Sequence, residues 1–191
     1  MSSTLGWRIS SIVLLTIVIV IDYLFKDYWP QVGANLTYEF QLNSNEYLDV
    51  IFRGFAKISI AAVGMIPLMI YLWDYTTWGI QSIFIYSLTM WLTSMLKLAY
   101  ANDRPFWHYD FVEYLDCEHG FGNPSGHALG SAAVWSLLVL KDKHPGASIL
   151  VLVCIIVTGI NRVYLGVHYF SQVLLGWAWA YAITAWRDPL F

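Results

Sequence analysis

Charged residues are scarce in this chain of 191 residues. Asp, Glu, Lys and Arg make up 12% of it, against roughly 25% in soluble domains. Hydrophobic residues make up 58%. This balance excludes an ordinary water-soluble domain and indicates that the main solvent is lipid. The ten Trp and thirteen Tyr residues fit aromatic belts at the two membrane surfaces.

Cysteine and basic runs are scarce as well. Cys117 and Cys154 are the two cysteines of the chain, and they have neither a disulfide nor a metal-site spacing. The net charge is −3 and no cluster of Lys and Arg stands out, so we expect no nucleic-acid partner.

Long apolar runs, in contrast, recur along the chain. Each is near the roughly 20 residues that cross a bilayer. The first is not followed by a small-residue cleavage site, so we interpret it as a retained span and not as a signal peptide. The pattern predicts an all-α, polytopic membrane bundle of about six transmembrane helices, with residues 1–191 forming one domain. The predicted spans are Ile9–Phe25, Leu48–Trp73, Trp78–Ala101, Ser125–Leu140, Ala147–Leu165 and Val167–Trp186.

Alternation of the spans places the polar connections on one face. The long loops Lys26–Tyr47 and Asn102–Asn123 lie there with the short link Asn161–His168. Because basic residues favour the cytoplasmic side, we expect the polar face to be lumenal or external. The basic residues of the opposite face are Arg8, Lys141, Lys143 and Arg187.

Two cations converge where the third span ends. Arg104 follows Lys97 by seven residues, two helical turns on and on nearly the same face. Pro105 disfavours helix at the residue before it, so the helix should end near Arg104. Alone, the pair fits a snorkelling Lys with an interfacial Arg equally well.

The fourth span begins with the polar stretch GNPSGHALG, Gly122–Gly130. Asn123 suits a helix N-cap and Pro124 suits the first helical position. The next three residues have another use, because N–H groups at a helix start bind anions. Gly126 lets an anion approach closely, Ser125 adds a hydroxyl donor and His127 can donate a proton near neutral pH. Taken alone, a capped helix with a polar first turn explains the stretch better.

A third polar group joins the last two spans. Arg162 ends one span, His168 begins the next, and Gly166 permits the turn between them. Gln172 lies one helical turn after His168, where its amide oxygen can accept a hydrogen bond from a ring N–H. An interfacial Arg and an interfacial His would explain this cluster alone.

Taken together, the three clusters predict a phosphoryl-transfer site. Cations and N–H groups stabilise charge on phosphoryl oxygens, while one His can attack phosphorus and the other can protonate the leaving oxygen. No group of carboxylates suggests a metal, and the cations take over its charge-neutralising role.

The order and spacing of these motifs resemble a known signature. Lys97-x6-Arg104-Pro105, Pro124-Ser125-Gly126-His127 and Arg162-x5-His168 are similar to the three-part signature of the type 2 phosphatidic acid phosphatase superfamily, over roughly residues 97–172. The resemblance implies a phosphatidic acid phosphatase type 2 / haloperoxidase-like core and a phosphatase with neither metal nor cofactor. It implies that His168 is the nucleophile that forms a phosphohistidine and that His127 is the general acid. The implied phosphate-binding residues are Lys97, Arg104, Ser125, Gly126 and Arg162.

One position departs from the usual signature of the superfamily and points to a narrower group within it. The superfamily usually has Asp four residues after the nucleophile, where this chain has Gln172, whereas glucose-6-phosphatases are similar to the chain at this position. They also resemble it at CEHGFGNPSGHALG, RPFW and RVYLGVHYFSQV. This implies a glucose-6-phosphatase-like enzyme of the endoplasmic reticulum or another internal membrane. Two differences leave the substrate open: glucose-6-phosphatases have more spans, and Asn161 replaces their usual Ser.

Several alternatives stay open. A lipid phosphate or isoprenyl pyrophosphate phosphatase should have a site that opens sideways between spans, whereas a sugar-phosphate site should open upward beneath the long loop. A non-catalytic membrane-complex subunit that kept the fold is a further alternative, and a vanadate-dependent oxidase is a weaker one. The expected partners are a phosphorylated small molecule or lipid phosphate, membrane lipids and, if the chain is part of an assembly, membrane proteins.

The loop Asn102–Asn123 holds further polar residues. We interpret His108 and His119 as solvated or lid residues. The acidic residues could repel a second anion or bind sugar hydroxyls, and the sequence does not decide between these roles. They are Asp103, Asp110, Glu113, Asp116 and Glu118.

Overall fold

The computed structural model describes residues 2–73, 77–142 and 144–186, and every regular element in these ranges is a helix. The chain is therefore all-α, as predicted. Residues 74–76, Lys143 and Arg187, on which part of the predicted loop pattern and orientation rests, lie outside the described ranges. The helices are α1 Ser2–Leu24, α2 Trp29–Gln41, α3 Glu46–Trp73, α4 Thr77–Tyr100, α5 Pro105–His108, α6 Gly126–Asp142, α7 Pro145–Tyr164 and α8 Phe170–Ala185.

Six of these helices correspond to the predicted spans. Four of them, α1, α3, α4 and α7, lie in stretches long and apolar enough to cross a membrane. The other two, α6 and α8, have 17 and 16 residues, fewer than the roughly 20 that cross a bilayer. Helix α6 packs against α3, α4, α7 and α8, and α8 packs against α1. The short helices are thus the inner ones, with the longer ones around them.

Small residues bring α6 and α8 close together, as is common between membrane helices. A Cβ atom at Gly176 of α8 would lie 2.9 Å from the carbonyl oxygen of Ser125. Further along, Leu129 and Ala133 of α6 share a buried cluster with Ala180 of α8. This contact fixes the polar start of α6 directly against α8.

Helix α1 has a different surface. Its apolar side chains are largely exposed, for example Ile12, Ile17 and Val20, which suits contact with lipid in an integral membrane protein. Polar contacts tie it to the bundle, and in one of them the Ser10 hydroxyl lies 2.8 Å from the hydroxyl of Tyr181.

Helix α2 corrects the prediction of a loop at Lys26–Tyr47. Its buried residues recur with helical spacing, from Gly33 and Ala34 to Thr37 and Gln41. The amide nitrogen of Gln41 donates to the carbonyl oxygens of Glu113 at 2.7 Å and Tyr164 at 2.9 Å. Its amide oxygen accepts the N–H of Glu113 at 2.9 Å. The sequence prediction searched for spans, and α2 is too short and too polar to be one.

Candidate active site

His168 lies in the link between α7 and α8, and its side chain is completely buried. The chain turns at Gly166, which has a φ of +72° and thus a conformation that favours glycine. A Cβ atom there would also clash with the carbonyl oxygen of Glu113. The turn therefore places the imidazole between two helix ends and beneath the loop that follows α5.

The contacts of Gln172 decide which nitrogen of His168 carries the proton. Its amide nitrogen donates to the carbonyl oxygen of Asp103 at 2.8 Å, and its amide oxygen accepts the N–H of Tyr169 at 3.2 Å. The same oxygen lies 3.1 Å from Nδ1 of His168. An amide oxygen only accepts, so Nδ1 carries the proton and the neutral ring has its lone pair on Nε2.

His168 stays neutral for physical reasons. Burial lowers its pKa well below the ordinary value, and the positive charges of Arg104, Arg162 and Lys97 lower it further. The hydrogen bond to Gln172 acts in the opposite direction. A neutral imidazole with a free lone pair is the nucleophilic form.

Arg104 faces that lone pair. Its Nη1 atom lies 3.4 Å from Nε2 of His168 and donates to the carbonyl oxygen of Val167 at 2.9 Å. The rest of the guanidinium is held by backbone, because Nε donates to Gly120 at 2.8 Å and Nη2 to His119 at 3.2 Å. The loop after α5 therefore wraps around a buried cation.

Arg162 and Lys97 complete a group of three cations. Arg162 is completely buried near the end of α7, and its Nε atom has no hydrogen-bond partner among the described residues. The neighbouring Asn161 ties this end of α7 to α3 by donating to the carbonyl oxygen of Phe52 at 2.7 Å. Lys97 lies close enough for its charge to interact with those of Arg104 and Arg162.

The start of α6 faces the same group. The helix begins at Gly126, so Asn123 is not its N-cap as predicted, and Asn123 instead donates to Asp22 of α1 at 3.1 Å. The Ser125 hydroxyl lies 3.5 Å from the N–H of Ala128. N–H groups in a first helical turn have no partner within the helix, so those of Gly126 and His127 are available to an anion.

Two carboxylates contact the arginines, and one of them also lies near His127. Oε1 of Glu118 lies 2.6 Å from Nη2 of Arg162 and 3.6 Å from Nδ1 of His127, while Oε2 lies 3.5 Å from Nη2 of Arg104. Asp116 lies 3.3 Å from Nη1 of Arg162. The structure therefore brings together the residues that the three motifs predicted, and it adds these two. The sequence had shown both as acidic loop residues, for which repulsion of a second anion and binding of sugar hydroxyls were left open as roles.

Other loop residues lie apart from this group. Nε2 of His108 pairs with Asp103 at 2.6 Å, and both side chains are about half exposed. His119 is exposed, and its backbone carbonyl is what contacts Arg104. These positions agree with the interpretation of both histidines as solvated.

A cavity of about 320 Å³ lies on the other side of Gln172, between α1, α2 and the residues after α4. It is lined by Asp22, Asp103, Tyr169 and Gln172, among others. Its lining includes none of Lys97, Arg104 and Arg162, so this cavity is separate from the cation group.

Comparison with known proteins identifies the family. The sequence matches the model of the PAP2 superfamily over residues 78–188, which includes all three motifs. The chain belongs to the PAP2 superfamily, as the motifs predicted.

Within this family, the chain is similar in sequence to curated glucose-6-phosphatases. The chain is 25% identical over 183 residues to the cat protein "Glucose-6-phosphatase catalytic subunit 1", with 75% of this chain and 51% of that protein covered. It is 29% identical over 122 residues to the rat protein "Glucose-6-phosphatase 3", with coverage of 51% and 35%. The chain thus spans about half the length, or less, of these relatives.

Solved structures support the fold. A transmembrane PAP2-type phosphatidylglycerolphosphate phosphatase from Bacillus subtilis superposes with a TM-score of 0.78 at 20% identity, over 96% of this chain and 94% of the other. Aquifex aeolicus LpxE gives 0.71 at 19% identity, over 84% and 96%. The chain therefore has the helical fold of membrane PAP2 phosphatases.

Proposed function

We propose that the protein is a metal-independent membrane phosphatase that hydrolyses a small phosphomonoester similar to glucose 6-phosphate. The observation that carries this proposal is the buried, neutral His168, whose Nε2 lone pair faces Arg104. A nucleophile beside converging cations is what phosphoryl transfer through a covalent intermediate needs.

In the first step, Nε2 of His168 attacks phosphorus and the bond from phosphorus to the ester oxygen breaks. His127 gives its proton to the leaving oxygen, so that the alcohol departs uncharged. The product on the enzyme is a phosphohistidine. Charge on the phosphoryl oxygens is stabilised by Lys97, Arg104, Arg162, the Ser125 hydroxyl and the N–H of Gly126.

In the second step, water attacks the phosphohistidine. His127, now neutral, accepts a proton from this water, the bond between phosphorus and Nε2 breaks, and inorganic phosphate is released. Gln172 holds Nδ1 throughout, so that the same ring nitrogen is presented to each substrate. Since Gln172 is a neutral amide, it orients the ring without adding a negative charge.

The loop above the site favours a sugar phosphate. Backbone carbonyls of His119 and Gly120 cover Arg104, and the loop carboxylates Asp116 and Glu118 are among the partly exposed groups of the cluster. An approach past these loop residues suits a water-soluble substrate. The likeness to glucose-6-phosphatases supports the same substrate class.

A lipid phosphate or isoprenyl pyrophosphate is the second candidate. It is favoured by the similarity in fold over nearly the whole length to a phosphatidylglycerolphosphate phosphatase. A substrate with an apolar tail would enter sideways between helices, whereas the sugar phosphate would enter beneath the loop.

Phosphate release by the purified protein in detergent tests the proposal. The panel is glucose 6-phosphate, phosphatidic acid and an isoprenyl pyrophosphate, without added metal, with His168→Ala as the control. We expect His168-dependent release from the sugar phosphate. Release from the lipids alone would select the second candidate, and no release by folded protein would indicate a subunit that kept the fold without activity.

A further inference from the structure

The buried arginines are already neutralised by the chain itself. Arg104 and Arg162 have no exposed side-chain surface, and a buried charge needs a partner. Glu118 contacts both arginines, and Asp116 contacts Arg162. Together these carboxylates carry two negative charges, the charge of a phosphomonoester dianion.

These carboxylates use the donors that a phosphoryl group would need. Both Nη atoms of Arg162 are engaged, one by Asp116 at 3.3 Å and one by Glu118 at 2.6 Å. Nη2 of Arg104 is shared between Glu118 and backbone carbonyls. Each Nη atom of Arg162 has two N–H groups, so the carboxylates take up half of these donors and place negative charge where a phosphoryl group attacked by His168 would bind.

Other donors around the site are not engaged. Nε of Arg162 is buried without a partner in the described part of the chain, and N–H groups in the first turn of α6 lack intrahelical partners. These groups can hold a phosphate as the carboxylates leave. Glu118 and Asp116 are 18% and 19% exposed, whereas the arginines are at 0%. The carboxylates therefore have a route outward that the arginines lack.

We propose that Glu118, with Asp116, is an internal competitor for the phosphate subsite, which the substrate displaces when it binds. This inference rests on the proposed function. Glu118 then sets the affinity for phosphate: it stabilises the empty site by neutralising the arginines, and it weakens binding because its contacts must break first.

The test measures binding of inorganic phosphate to the full chain in detergent by titration calorimetry, together with its thermal unfolding. The variant is Glu118→Gln, which keeps the shape of the side chain and removes the charge. The matched control is Glu113→Gln in the same loop, where the side chain is exposed and its backbone makes the contacts to Gln41. It removes an equal charge from the loop without touching an arginine.

We expect Glu118→Gln to bind phosphate about ten- to a hundredfold more tightly than wild type, the factor that corresponds to one lost charge-assisted contact. Without phosphate it should unfold at a lower temperature, and phosphate should raise that temperature more than in wild type. Glu113→Gln should match wild type in both measurements. If Glu118→Gln is too unstable to purify, Asp116→Asn takes its place. It should also bind phosphate more tightly than wild type and unfold at a lower temperature without phosphate, with a smaller increase in affinity.

Three results would overturn the proposal, and they are distinguishable. Unchanged or weaker phosphate binding by Glu118→Gln, beside measurable binding by wild type, would refute competition and leave the proposed function intact. A lower kcat of Glu118→Gln in the phosphate-release assay, without tighter phosphate binding, would make Glu118 a positioning residue for His127. Absence of phosphate binding in every variant would count against the proposed function itself.

Discussion

Two regions of the molecule differ in the space they leave for an added side chain. We call helices α1 and α3 the first half and helices α7 and α8, with the link between them, the second half. In α1 and α3, a Cβ atom at Gly6 or Gly54 would meet no atom within 4 Å. In α7 and α8, a Cβ at Gly159 would clash with Trp177, and one at Gly176 would meet the backbone of α6 at 2.9 Å. At these two positions the first half thus leaves room for a side chain, whereas contacts between helices of the second half hold the site residues in fixed positions.

The largest effect should come from one side chain of the second half. We expect His168→Ala to lower kcat/KM by on the order of a thousandfold or more, because it removes the proposed nucleophile. Ser10→Ala, which removes the hydroxyl contact of α1 to Tyr181, is the matched polar-to-alanine change in the first half. It should leave kcat/KM within about twofold of wild type. Equal losses of kcat/KM in both variants would contradict the difference between the two halves.

Packing provides the next test. Gly159→Ala should destabilise the protein by about 1–3 kcal/mol, the usual cost of overpacking, because Trp177 and Val173 must move. Gly54→Ala should be neutral or stabilise by up to about 1 kcal/mol, since Ala favours helix and has room here. Thermal unfolding in detergent would compare the pair, and similar midpoints would show that both halves tolerate added volume alike.

A substitution in the loop should affect His168, the proposed nucleophile. A Cβ at Gly122 would lie 2.6 Å from both polar atoms of the Gln172 amide. We therefore expect Gly122→Ala to lower kcat by about tenfold, the effect of roughly 1.4 kcal/mol, with little change in KM. Gly54→Ala, where a Cβ would meet no atom within 4 Å, serves as the control. A kcat loss as large in the control would show that the effect does not depend on the contact with Gln172.

A smaller effect should appear in the pH dependence. The lowered pKa of His168 keeps its ring neutral, and so nucleophilic, at pH values below the ordinary 6.5. In Gln172→Asp a carboxylate would favour the imidazolium form and raise this pKa, so the acidic limb of kcat/KM should move upward by about one pH unit. Both enzymes share one substrate, whose own ionisation therefore cancels. Superimposable profiles would contradict this account of Gln172.

Much of the fold and of the site could be predicted from the sequence, because both depend on local patterns. Apolar runs located the membrane helices, and the spacing of Lys97, Arg104, Arg162 and His168 indicated one site. The rest depends on tertiary contacts. Helix α2 gains its stability from packing Gly33 and Gln41 against the bundle, and Asn123 is held by Asp22, 101 residues away. Similarly, contacts with the two buried arginines distinguish Glu118 and Asp116 from the other acidic loop residues, and such contacts are tertiary.

The contact between Gly122 and the Gln172 amide has an evolutionary consequence. Positions 122 and 172 are 50 residues apart in sequence, yet a side chain at 122 would occupy the space of the Gln172 amide. A chain with Gln at 172 is restricted to glycine at 122, whereas one with the shorter Asp has room there for a small side chain. The two positions should therefore vary together among related sequences, as one inherited unit.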